Sequence, residues 1–143
     1  MQQEYIYIDS ILYAIILPAD FNEPGIHFFT QNNFSQQMGA MSYPSGKLIP
    51  AHTHNPIRRE VLYTQETLFI RKGRLRVDFY DQINAYKTSR ILCAGDVILL
   101  ISGGHGFEVL EELNMVEIKQ GPYVGDDDKT RFDCPPPDTF NFD

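Results

Sequence analysis

Four side chains in this chain have the types and spacing to do chemistry together. His52 and His54 stand one residue apart in "LIPAHTH", Glu66 opens "ETLFI", and His105 follows two glycines in "GGHGFEVL". In an extended strand alternate side chains share a face, so Leu48, Pro50, His52 and His54 point one way while Ile49, Ala51 and Thr53 point the other. Two imidazoles at i and i+2 on a face that begins apolar can converge on one cation, with ring nitrogens about 2.0 to 2.1 Å from it. An isolated pair of this kind also occurs as surface or hydrogen-bonded histidines, and the pair by itself does not choose.

The surroundings of the other two residues point the same way. Glu66 shares a face with Leu68 and Ile70, and His105 shares one with Phe107 and Val109, so each polar group heads an apolar row. Three separate strands each offer a potential ligand beside core-type neighbours. The stretch "NPIRREVLYTQ" between His54 and Glu66 adds Arg58, Arg59 and Tyr63 as candidate substrate-binding residues, and Glu60 as an alternative carboxylate ligand. Arg71, Lys72, Arg74 and Arg76 follow, but Arg74 and Arg76 alternate with Leu75 and Val77 and are expected to face solvent or a second subunit. A guanidinium can clamp a carboxylate or phosphate with two parallel hydrogen bonds. Glu117 and Lys119 are further candidates; they share a face opposite Val116 and Ile118 and are merely an exposed pair if those apolar residues face the core, while His27 has no partner in sequence.

The elements that must hold these residues are short strands. Alternating apolar runs broken by turn residues recur along the chain, with no sustained 3.6-residue period, and this predicts an all-β sandwich or barrel. The predicted strands include "EYIYI", "ILYAIIL", "GIHFFTQ", "QQMGAMSY", "LIPAHTH", "ETLFI", "RLRVDFY", "SRILCAG", "DVILLI", "HGFEVL" and "NMVEIKQ", with Gly73 in a turn between the sixth and seventh. At 143 residues the length is that of one domain. Residues 1–120 are expected to form the barrel. From Gly121 the chain turns Pro- and Asp-rich, and 121–143 should be an extended arm whose Phe132, Phe140 and Phe142 lie on the barrel's outside or brace a homodimer.

The net charge of -7 would repel a phosphate backbone, which argues against a nucleic-acid partner. "ILYAIIL" is too short to cross a membrane, and no signal peptide is read at the start. Two cysteines, Cys93 and Cys134, suggest neither a disulfide framework nor a thiolate zinc site, so a cytoplasmic location is expected.

On these residues the chain resembles a small single-domain cupin. Gly46, His52, His54, Glu66 and Gly73 fit the elements of the family's first motif, over residues 46–73, and Gly95, Gly103 and His105 match the second, over 95–105. Eleven residues separate His54 from Glu66 where the family has three or four; Ile101 stands where the second motif has proline, and no asparagine follows His105. The resemblance implies a jelly-roll barrel, a double-stranded β-helix, with a mononuclear metal held by His52, His54, Glu66 and His105. Three imidazoles and a carboxylate suit Zn, Fe, Ni, Co or Mn. It also implies either an enzyme acting on a small polar or anionic metabolite, in a sugar-nucleotide or polysaccharide context, or a non-catalytic ligand-binding or sensing module.

Overall fold

The computed structural model describes residues 1–134 and 139–143. Residues 135–138, which hold three of the arm's prolines, lie outside the described residues. The fold is all-β, built on one curled antiparallel sheet that forms a half-barrel.

Strands β1 (Glu4–Ile8) and β2 (Ile11–Leu17) form a hairpin. Its two turn residues, Asp9 and Ser10, both have positive φ, the geometry that matches the twist of a tight hairpin. A separate two-stranded sheet joins β3 (Gly25–Phe28) to β4 (Gly39–Ser42). The centre of the fold is β5 (Glu66–Tyr80), which carries neighbours on both edges. Along one edge run β6 (Tyr86–Cys93), opposite Arg74 to Tyr80, and then β7 (Val97–Leu100), opposite Glu66 to Phe69. Along the other runs the whole of β8 (Gly104–Lys119). β2 pairs with β7 and extends the sheet outward to β1.

β5 changes phase in its middle. Glu66, Leu68 and Ile70 are buried at even positions, and Leu75, Val77 and Phe79 at odd ones. Side chains alternate strictly along a regular strand, so this change requires an irregularity. The ladder with β8 supplies it, shifting register between Ile70 and Leu75 around Gly73. Gly73 has φ +90°, and a Cβ there would run into the Glu112 carbonyl oxygen, so only glycine fits. The turn between β6 and β7 clips onto the same place: Ile70 N donates to Asp96 O at 3.0 Å and Gly95 N to Ile70 O at 2.7 Å.

The concave side is filled by Ile6, Tyr13, Leu68, Ile70, Leu75, Val77, Phe79 and Ile98, with Leu113 and Met115 from β8. A second cluster, Ile15, Leu99, Phe29 and Met38, packs on the opposite face of β2 and β7, which explains why β2 is buried on both sides. Two predicted turns are thus absent. "ETLFI" and "RLRVDFY" are one strand bent at Gly73, and "HGFEVL" and "NMVEIKQ" are one strand, β8.

The predicted strand "LIPAHTH" does not form, and residues 43–65 contain no strand. Alternation is necessary for a half-buried strand but a ladder partner is what makes one. Here Pro44, Pro50 and Pro56 remove donors, and every residue from Met41 to Tyr63 is exposed.

The end of the C-terminal arm lies on the outside of this chain's own sheet, whereas Phe132, expected there too, packs on Tyr80 in a cavity. Ser89 N and Thr88 Oγ1 donate to Asn141 O at 2.7 and 2.8 Å, and Asn141 N donates to Tyr86 Oη at 3.0 Å. Phe140 covers the Arg76 guanidinium at 3.9 Å from ring centroid to Cζ. Arg76, expected to face solvent or a partner, is therefore buried. Its guanidinium makes a bidentate pair with buried Asp78, at 2.8 and 3.0 Å, and meets Glu108 at 2.6 Å.

Candidate functional site

The curl of the β5–β8 ribbon brings its two ends together. Glu66 faces Lys119 at one end of the ladder, and His105 faces Phe79 at the other. Flat, that ladder would hold them roughly 43 Å apart at about 3.3 Å per residue. In the folded chain Nε2 of His105 lies 3.8 Å from Oε2 of Glu66.

The two groups stand in a cavity of about 900 Å³. Gly103 and Gly104 bring the chain into it: a Cβ at Gly103 would overlap the Tyr13 ring, and one at Gly104 would crowd Tyr80 and Phe132. Tyr80 and Phe132 form one wall, with ring centroids 5.3 Å apart and edge to face. Lys129 and Arg131, from the segment after a 3-10 turn at Gly125–Asp128, bring positive charge to the lining, and Gln65, Gln82 and Ser102 add neutral polar groups. The segment is tied down by Thr64 Oγ1, which donates to Asp128.

Burial dominates the electrostatics. It pushes the Glu66 carboxyl above the usual carboxylate range, and the neighbouring Glu117 carboxyl pushes it further, against the opposing charges of Lys129 and Lys119. It lowers the His105 imidazole, helped by the charge of Lys129 and opposed by Glu117. Both shifts are toward the uncharged forms of the facing carboxyl and imidazole. The Tyr80 hydroxyl is raised, by burial first and then by Cys134, and stays protonated.

Of the residues singled out in the sequence, the structure brings together Glu66 and His105, with Tyr63 on the cavity rim. His52 and His54 sit side by side, ring centroids 5.3 Å apart, but on the exposed segment, where His52 Nδ1 bonds the Pro50 carbonyl at 2.9 Å. Neither lines the cavity, and neither do Arg58, Arg59 and Glu60, which are exposed on the same segment. His27 bonds the Pro24 carbonyl and takes no part.

Lys129 and Arg131 are the site residues that sequence reasoning missed. Glu117 was a candidate only if Val116 and Ile118 did not face the core; both are exposed, and the register sets Glu117 opposite Leu68 beside Glu66. Lys129 and Arg131 lie in a stretch that reads only as a polar tail.

As a metal site, the described residues of one chain supply half of a ligand set. A buried carboxylate and an imidazole with their donor atoms 3.8 Å apart suit a shared divalent cation about 2.0 to 2.1 Å from each. No third His, Cys, Asp or Glu joins them as a metal-holding cluster among the described residues. Comparison with protein families, with characterised proteins and with solved structures finds no match for this chain.

Proposed function

We propose that this chain is a cupin-type jelly-roll protein whose cavity binds a small polar, anionic metabolite at Glu66 and His105, together with a divalent transition metal. The observation that carries the reading is the convergence of these two groups in a cavity whose lining includes Lys129 and Arg131. A substrate carboxylate or phosphate would pair with those cations, while the Tyr80 and Phe132 wall offers an apolar surface to the rest of the molecule. When bound, the metal would polarise a carbonyl or activate water or O₂.

The chain's own residues can hold and move a proton. The His105 imidazole, shifted toward its neutral form, can accept one at Nε2, and Glu66, with its raised pKa, is suited to give or hold one at Oε2. The protonated Tyr80 hydroxyl can donate a hydrogen bond to a bound oxygen.

The test is binding and turnover of a panel of nucleotide sugars, keto acids and thiols by the metal-loaded protein, with O₂ uptake recorded. An anionic member should bind, and Lys129→Ala should weaken it about tenfold, the loss of one charge-assisted contact. Binding without turnover across the panel would favour the ligand-sensing reading. Binding indifferent to both Lys129→Ala and Glu66→Gln would remove the site.

A further inference from the structure

Residues 43–63 are poorly accounted for by the chain they belong to. All are exposed, with Leu48 at 85%, Leu62 at 80% and Tyr63 at 82%. Among the described residues, their hydrogen bonds run only within the segment, from Lys47 N to Pro44 O and between His52 Nδ1 and Pro50 O. Only its end, Val61 to Tyr63, lines hollows of its own chain; among the described residues no hydrogen bond or ion pair ties this extended, largely apolar stretch to the rest of one copy.

The same fold leaves a matching vacancy in pairing. Among the described residues β8 pairs with β5 alone, so its outer edge has no strand partner along 16 residues, and one side-chain bond, from Gln36 Nε2 to the Ile118 carbonyl, is made to its backbone there. Phe107, Val109, Val116 and Ile118 on that strand are exposed. Charge adds little, because Glu108, Glu111 and Glu112 of β8 are already paired with Arg76, Arg74 and Lys72 of β5; exposed Glu117 is left for Lys47, Arg58 and Arg59 of the segment.

We infer that residues 43–63 of one copy add as a strand to the outer edge of β8 in a second copy, so that the cavity at Glu66 and His105 is completed by the partner's His52 and His54. This rests on the metal-binding reading above. Strand addition satisfies the open edge and buries the exposed apolar side chains. Adjacent strands lie about 4.8 Å apart, so a strand on the β8 edge that faces its i and i+2 imidazoles inward sets them beside His105, which is itself on β8. Exchange of one segment between identical chains closes with two-fold symmetry and gives two equivalent sites.

The test uses full-length chains carrying two different tags. Wild-type protein should sediment at twice the 16.5 kDa chain mass, and Leu48→Asp with Leu62→Asp should shift it to the monomer. A monomeric wild type would overturn the inference. Next, a chain with His52→Ala and His54→Ala is co-expressed with one carrying Glu66→Gln and His105→Ala, and the doubly tagged dimer is isolated. Exchange leaves that dimer one intact site, so it should retain about one metal per two chains while each parent homodimer retains almost none. A mixed dimer as empty as its parents, beside a metal-loaded wild type, overturns the exchange alone. A wild-type dimer without metal overturns the metal reading and, with it, completion of the site in trans.

Discussion

Glu66 and His105 meet at 3.8 Å although they occupy opposite ends of one β5–β8 ladder. The ribbon must turn back on itself to achieve this, and the shifts of register around Gly73 are where it bends. The site is therefore a product of the curl. Anything that straightens β5 should separate the two groups without touching either.

Gly73→Ala tests that dependence. The substitution places a Cβ at φ +90° against the Glu112 carbonyl, and strain of this kind costs about 1 to 3 kcal/mol. Urea unfolding should show a loss in that range, and ligand or metal binding should weaken in the fraction that remains folded. Unchanged stability would mean that β5 bends without help from Gly73.

The pH dependence of metal-free protein should carry the signature of one buried and one half-buried group. Glu66 has a raised pKa, so the folded state binds its proton more tightly than the unfolded state, whose value is near 4.5. Its contribution is fully present below about pH 4.5 and is lost as pH rises through the higher folded value. Glu66→Gln should accordingly match wild type in acid and exceed it near pH 7, in chelator-treated samples. His105 is lowered from 6.5, so the unfolded state protonates first and stability should fall as pH drops below about 6.5. Thermal melts from pH 4 to 8 of wild type, Glu66→Gln and His105→Gln would resolve both. A Glu66→Gln variant no more stable than wild type at pH 7 would contradict the burial argument.

Arg76 and Asp78 form a nearly buried ion pair on the outer face of β5, with Ser89 Oγ donating to Asp78 at 2.5 Å and Phe140 above the guanidinium. Asp78→Ala takes away the bidentate partner of the buried guanidinium, leaves it only the half-exposed Glu108 and removes the carboxylate that accepts from Ser89 Oγ, so it should cost about 3 to 5 kcal/mol in urea unfolding. Ending the chain at Cys134 removes Phe140 and Asn141 but keeps the pair. It should cost less, about 1 to 3 kcal/mol, and make stability depend on salt, because the uncovered pair is screened. A truncated chain as stable as wild type would show that the arm does not hold this face.

Much of this architecture was legible in the sequence, and the illegible parts share a cause. Period-2 alternation identified the β class, and Glu66 heads a buried apolar row with Leu68 and Ile70 as its pattern implies, whereas Phe107 and Val109, expected to be core neighbours of His105, are exposed on the edge strand β8. Partners distant in sequence were not visible. Arg76 looked exposed because Phe140, which covers it, lies sixty-four residues away. Glu117 became a neighbour of Glu66 only through the pairing of β8 with β5. "LIPAHTH" has the alternation of a strand, but among the described residues it pairs with no strand of its own chain.

The most direct test of the account is the metal content of protein purified without chelator or a metal-affinity tag. The wild-type chain should hold close to one equivalent of Zn, Fe, Ni, Co or Mn, and Glu66→Gln or His105→Ala should release it while the far-ultraviolet spectrum stays that of a folded β protein. Less than about a tenth of an equivalent in wild type, or full retention by either variant, would contradict the assignment.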